Sequence, residues 1–113
     1  MNWKVKLVLL FGKLRKPVDI TSAVDIPTLR SRSDRAAWYG SVLFDKKISV
    51  AQITDTKADG VPVRIYNNSN EKNQRVITYY HGGGFVLYGI YSHDRVCRRL
   101  CSMNDCIVVS VDY

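Results

Sequence analysis

Residues 75–89 read RVITYYHGGGFVLYG, a run that is apolar or aromatic on both faces and leads straight into a histidine and three consecutive glycines. Continuous rather than alternating apolar character predicts a strand covered on both sides, as in a parallel sheet. The glycines remove every side chain that would keep a ligand from the main chain, and they allow dihedrals that other residues resist. A strand that ends in bare backbone presents a set of N–H groups, and loops at the carboxyl ends of parallel strands are where open α/β sheets bind their ligands.

Downstream, residues 92–103 (SHDRVCRRLCSM) predict a helix. Ser92 is its expected cap, Asp94 sits in the positive first turn, and Arg98 and Arg99 lie toward the negative end. Val96 with Leu100, and Cys97 with Cys101, give it an apolar face, and Asn104 is expected to end it in a left-handed conformation. Residues 106–113 (CIVVSVDY) read as a second buried strand, which completes a right-handed βαβ unit.

Upstream, residues 48–54 (ISVAQIT) and 61–66 (VPVRIY) predict an antiparallel hairpin with a longish loop turning at Asp59 and Gly60. Before it, Trp38 with Val42 and Tyr39 with Leu43 predict a helix from an N-cap at Ser33 to about Phe44, and residues 17–32 read as irregular. Arg30, Arg32 and Arg35 fall at the start of that helix, where the dipole does not favour cations, so they face acids elsewhere or water. Trp3, Leu7, Leu10, Phe11 and Leu14 recur at helical spacing among lysines and arginines, predicting a basic amphipathic helix ended by Pro17.

Ten lysines and arginines against four aspartates occupy residues 1–47, whereas residues 48–113 hold seven against six acids. A basic binding surface therefore belongs to the first segment, and the chain divides into basic helices at 1–47 and an α/β unit at 48–113. The VLLF run at residues 8–11 is far too short to span a membrane, and no cleavable leader follows it, so a cytoplasmic location is expected. Cys97, Cys101 and Cys106 are odd in number and crowded, which suits reduced thiols better than a disulfide framework. His93, Cys97 and Cys101 step along one helix about 6 Å apart, too far to converge on one metal ion, so no metal is expected. No cofactor is expected either.

The glycine loop has three readings: a phosphate cradle, an oxyanion hole for acyl transfer, or a tight corner. Gly82, Gly84 and Leu87 do not complete a dinucleotide fingerprint, and the lysine of a phosphate-binding loop is missing. A histidine followed by glycines after a third strand is the arrangement found in lipases and esterases.

From ISVAQIT through VITYYHGGGFVLYG to VVSVDY, the chain resembles the hormone-sensitive-lipase family of α/β-hydrolases over residues 48–113. The resemblance implies the N-terminal half of an α/β-hydrolase fold, comprising cap-like helices, a hairpin and one βαβ unit in strand order 1, 2, 4, 3. It implies that Gly83 and Gly84 carry the oxyanion-hole N–H groups. His81 would support the loop by hydrogen bonding and not act as a base, Gly82 would give the turn its freedom, and Phe85 would lie beside the acyl site. Asp112 and Tyr113 would open a DYRLAPE-like segment.

The family's nucleophile is a serine in a GxSxG elbow, and no serine here has glycine two residues before and two after. Ser41, preceded by Gly40, falls in a helix before the sheet. The expectation is thus a truncated carboxylic-ester hydrolase for small acyl esters, without its Ser-Asp-His triad and inactive alone. An apolar open edge at RVITYY would favour self-association. The rival reading is a non-catalytic protein whose basic first 47 residues make peripheral contact with an anionic membrane surface. Nucleic acid is not expected, because no base-stacking motif accompanies the charge.

Overall fold

A computed structural model describes residues 25–113, together with Lys6 and Leu10. The amphipathic helix expected from Trp3 to Leu14 lies outside the described residues apart from Lys6 and Leu10, both helical and exposed.

Helix α1 runs from Ile26 to Phe44, its N-cap at Asp25 eight residues before the Ser33 cap expected from sequence. Asp25 takes an extended backbone at the N-cap, and the Leu29 N–H donates to its carbonyl at 3.0 Å. The Thr28 hydroxyl donates to the Asp25 carboxylate. Pro27 occupies the first turn, where its fixed φ suits a helix and its missing N–H costs nothing. A proline read as punctuation is therefore a helix starter. Ser33 lies inside the helix instead, its hydroxyl donating to the Arg30 carbonyl at 2.8 Å. The expected apolar stripe does not form a core, since Tyr39, Val42 and Leu43 are exposed and only Asp34 is buried.

Strands β1 (Gln52–Ala58) and β2 (Val61–Asn67) form the hairpin, with β1 displaced four residues from the expected ISVAQIT. The loop is tight, not long: Asp59 (φ 50°) and Gly60 (φ 82°) are both left-handed and Ala58 pairs with Val61. Positive φ at both central residues matches the right-handed twist of the flanking strands, which is why Asp-Gly serves here.

Strand β3 (Val76–Tyr80) runs parallel to β4 (Ile107–Val111), and α2 (Asp94–Asn104) crosses between them. The sheet order is β1-β2-β4-β3, as the family resemblance implied, with β2 and β4 antiparallel. Strand β3 is not covered on both sides: Ile77 and Tyr79 turn toward the core while Val76, Thr78 and Tyr80 are exposed.

The core lies under α2. Cys97 and Cys101, one helical turn apart, meet the paired Tyr66 and Val108 of the sheet, with Cys106 alongside. Burying a valine such as Val108 contributes about 1.5–3 kcal/mol. At the ends of α2, the N-cap is His93 rather than Ser92, and the left-handed residue is Asp105 (φ 46°) rather than Asn104. Asn104 stays in the helix, its amide donating to the Leu100 carbonyl at 2.9 Å.

Candidate functional site

His81 follows the last residue of β3, and Asp112 and Tyr113 follow the last of β4, so parallel pairing brings them to the same sheet edge. The Tyr113 ring stacks on the His81 imidazole at 4.4 Å and 8°. Its hydroxyl donates to the His81 carbonyl.

The loop turns at Gly83 (φ 126°), Gly84 (φ 61°) and Phe85 (φ 64°). Val86 and Leu87 both donate their N–H to the Gly83 carbonyl, at 3.2 and 3.0 Å. Glycine is required at Gly83, where a Cβ would lie 2.1 Å from the Leu87 carbonyl oxygen. Gly82 has no positive φ and open space around it, so the turn's freedom resides in Gly83 and Gly84 instead. Among the described residues, the N–H groups of Gly83 and Gly84 donate to no backbone or side-chain acceptor. Phe85 is 85% exposed and meets Tyr113 edge-on at 5.9 Å.

His81 is buried and both ring nitrogens are engaged. Nδ1 lies 2.8 Å from the Gly82 carbonyl, which can only accept, so Nδ1–H is the donor. Nε2 lies 3.3 Å from Nη2 of Arg30, a group that can only donate. The imidazole is thus engaged on both sides, by the Gly82 carbonyl at Nδ1 and by Arg30 at Nε2.

Sequence reasoning left Arg30 without a partner, and it proves central. Its Nε donates to the Tyr88 carbonyl at 2.9 Å and its Nη2 to Oδ1 of Asp112 at 2.7 Å. Two neighbours on α1 reach the same segment: Ser33 Oγ accepts from the Tyr88 N–H at 3.1 Å, and Oδ1 of Asp34 from the Ser92 N–H at 2.7 Å. A contact 82 residues away in sequence leaves no local signal. A cleft of about 610 Å³ opens beside these anchors, lined by Trp38, Arg35, Tyr88, Tyr91 and Asp112 among others; Gly83 and Gly84 do not line it.

His93 is half-buried, and its side chain makes no capping bond. Its Nδ1 sits 2.9 Å from Ser92 Oγ, its ring is 5.9 Å from that of His81, and burial pushes its pKa below the ordinary value. Cys97, Cys101 and Cys106 are free thiols in the core. Among the described residues, no three histidines, cysteines or acids are grouped to hold a metal ion. No described helix is long and apolar enough to cross a membrane.

A family model described as the alpha/beta hydrolase fold matches residues 77–113. Carboxylesterase NlhH of Mycobacterium tuberculosis is 34% identical over 98 residues, covering 86% of this chain and 31% of that protein. An arylesterase of Saccharolobus solfataricus is 36% identical over 53 residues, 47% of this chain and 17% of its own length. Among solved structures, the thermostable carboxylesterase EstE1 from a metagenomic library superposes with a TM-score of 0.69 at 32% identity, over 80% of this chain and 32% of EstE1. The chain spans about a third of the length of NlhH. These matches, with the four-stranded mixed sheet, support part of an α/β-hydrolase of the hormone-sensitive-lipase family, corresponding to the N-terminal part of that fold.

Proposed function

We propose that this segment supplies the oxyanion-binding loop of a carboxylic-ester hydrolase acting on short or medium acyl esters. The observation that carries the reading is the glycine turn after β3, where the Gly83 and Gly84 N–H groups have no acceptor among the described residues. When a nucleophile adds to an ester carbonyl, negative charge develops on the carbonyl oxygen. Two fixed N–H donors stabilise that charge without reorganising during the reaction, and losing one such donor costs about 100- to 1,000-fold in rate. Similarity to proteins named carboxylesterase and arylesterase supports this chemistry.

The 113 residues contain no GxSxG elbow, and Ser41 spends its hydroxyl on the Trp38 carbonyl at 2.8 Å. On this reading the nucleophile, acid and general base come from residues outside the sequence, and the segment alone hydrolyses nothing. The protein is cytoplasmic, and the segment in isolation self-associates along β3, where Val76 and Tyr80 are exposed.

A graft tests the proposal. This chain replaces the matching stretch of carboxylesterase NlhH, and hydrolysis of p-nitrophenyl butyrate is followed, with native NlhH as reference. Activity in the folded chimera is expected, and a chimera that melts cooperatively yet hydrolyses nothing overturns the reading.

A further inference from the structure

We propose that Arg30 is a positioning residue for the glycine loop: it holds the proton of His81 on Nδ1, and through the Gly82 carbonyl it aims the Gly83 N–H. The inference rests on the reading of that loop as an oxyanion site, and extends it to a residue on α1.

A guanidinium carries donors only, so the 3.3 Å approach of Arg30 Nη2 requires a lone pair on His81 Nε2. The ring proton then resides on Nδ1 and is donated to the Gly82 carbonyl at 2.8 Å. A trans peptide is planar, with its C=O and N–H pointing in opposite directions. Fixing the Gly82 carbonyl against the buried imidazole therefore turns the Gly83 N–H away from His81, toward the open side of the loop.

Asp112 supplies the opposing pull. Its Oδ1 lies 3.9 Å from His81 Nε2 and 2.7 Å from Arg30 Nη2. Without Arg30, that carboxylate becomes an acceptor for a proton on Nε2. Nδ1 would then present a lone pair to the Gly82 carbonyl oxygen, and the two acceptors repel. The Gly82–Gly83 peptide would rotate, carrying the Gly83 N–H with it. The other anchor of Arg30, Nε to the Tyr88 carbonyl at 2.9 Å, keeps the guanidinium plane in register with the loop. The position of α1 is in this way communicated to Gly83.

The chain has two histidines, so the ring signals are assigned by comparison with His93→Gln. Two-bond proton–nitrogen correlation spectra of the uniformly ¹⁵N-labelled chain report which ring nitrogen is protonated. The expected result is an Nδ1–H pattern for His81 in the unsubstituted chain. In Arg30→Met the pattern switches to Nε2–H and the Gly83 amide signal shifts. Arg30→Lys, which keeps a donor near Nε2, retains the Nδ1–H pattern and covers the case in which the methionine variant fails to fold. Arg35→Met, five residues further along α1, changes neither signal. An Nε2–H pattern in the unsubstituted chain, an unchanged tautomer in folded Arg30→Met, or a tautomer switch that leaves the Gly83 amide in place each overturns the proposal. Failure of the esterase reading is separate, because it shows as an inactive NlhH graft with these ring signals intact.

Discussion

Gly83 and Leu87 are in direct main-chain contact: the Leu87 N–H donates to the Gly83 carbonyl at 3.0 Å, and a Cβ on Gly83 would lie 2.1 Å from the Leu87 carbonyl oxygen. Gly82, its immediate neighbour, has nothing within 4 Å of that position. Two glycines that are adjacent in sequence thus differ completely in what they tolerate.

Alanine substitutions separate them. Gly83→Ala adds a steric clash to a φ of 126° and is expected to destabilise the chain by about 3 kcal/mol or to open the turn. Gly82→Ala should stay within about 0.5 kcal/mol of the parent. Urea titrations followed by circular dichroism check both; equal effects would contradict the described turn.

Asp94 is the second point of sensitivity. Its carboxylate is buried, accepts from the Tyr66 hydroxyl at 2.9 Å and Arg98 at 2.7 Å, and lies 3.5 Å from Arg64. Burial beside that carboxylate holds the Tyr66 phenol well above its ordinary pKa, so it remains a donor throughout the stable range. Asp94→Ala leaves the buried Tyr66 hydroxyl and the Arg98 guanidinium without their carboxylate, while Arg64 keeps Asp55, and should cost about 3 kcal/mol. Tyr66→Phe, which leaves Asp94 its arginines, should cost about 1 kcal/mol. The ordering of the two in denaturant midpoint is the check.

The half-buried His93 gives stability a pH dependence. Burial lowers its folded pKa, so between the ordinary value and the folded one the unfolded chain binds more protons. Its contribution is therefore complete above about pH 6.5 and is lost as pH falls through the folded value. The melting temperature should fall on acidification from pH 7.5 to 5, and His93→Gln should flatten that decline. Asp55 acts in a lower window: its hydrogen bond to Arg64 depresses its pKa, so its contribution fades only below the ordinary carboxylate range. Solvent exposure of Asp55 keeps that effect small.

The three thiols should be silent in the native state. Cys97 and Cys101 are fully buried and Cys106 nearly so, and burial pushes the Cys97 pKa up to about 11. Maleimide at pH 7 should label none of them within minutes, and all three after urea unfolding. Rapid labelling of any thiol in the folded chain would contradict their place in the core.

The sheet was legible because its signals are local: the apolar runs of β3 and β4, the Asp-Gly turn and the helix between Asp94 and Asn104 all sit close to where sequence puts them. Strand β1 was misplaced because hydrophobicity pointed to ISVAQIT, whereas the paired strand QITDTKA is largely exposed and is fixed by the two-residue turn that follows it. The start of α1 was missed because Pro27 reads equally as a stop and as a first-turn residue. The glycine loop announced itself, but its anchor did not: Arg30 reaches Asp112 and Tyr88 only after the chain has folded back across the sheet edge.

The most direct measurement deletes one donor without adding a side chain. In the NlhH graft, glycolic acid incorporated at position 84 replaces the Gly84 N–H with an ester oxygen, adds no side chain and leaves the bond between His81 and the Gly82 carbonyl untouched. If Gly84 donates to the oxyanion, kcat for p-nitrophenyl butyrate falls about 100- to 1,000-fold with KM little changed. A kcat equal to that of the unsubstituted graft would show that the Gly84 N–H does not hold the developing charge.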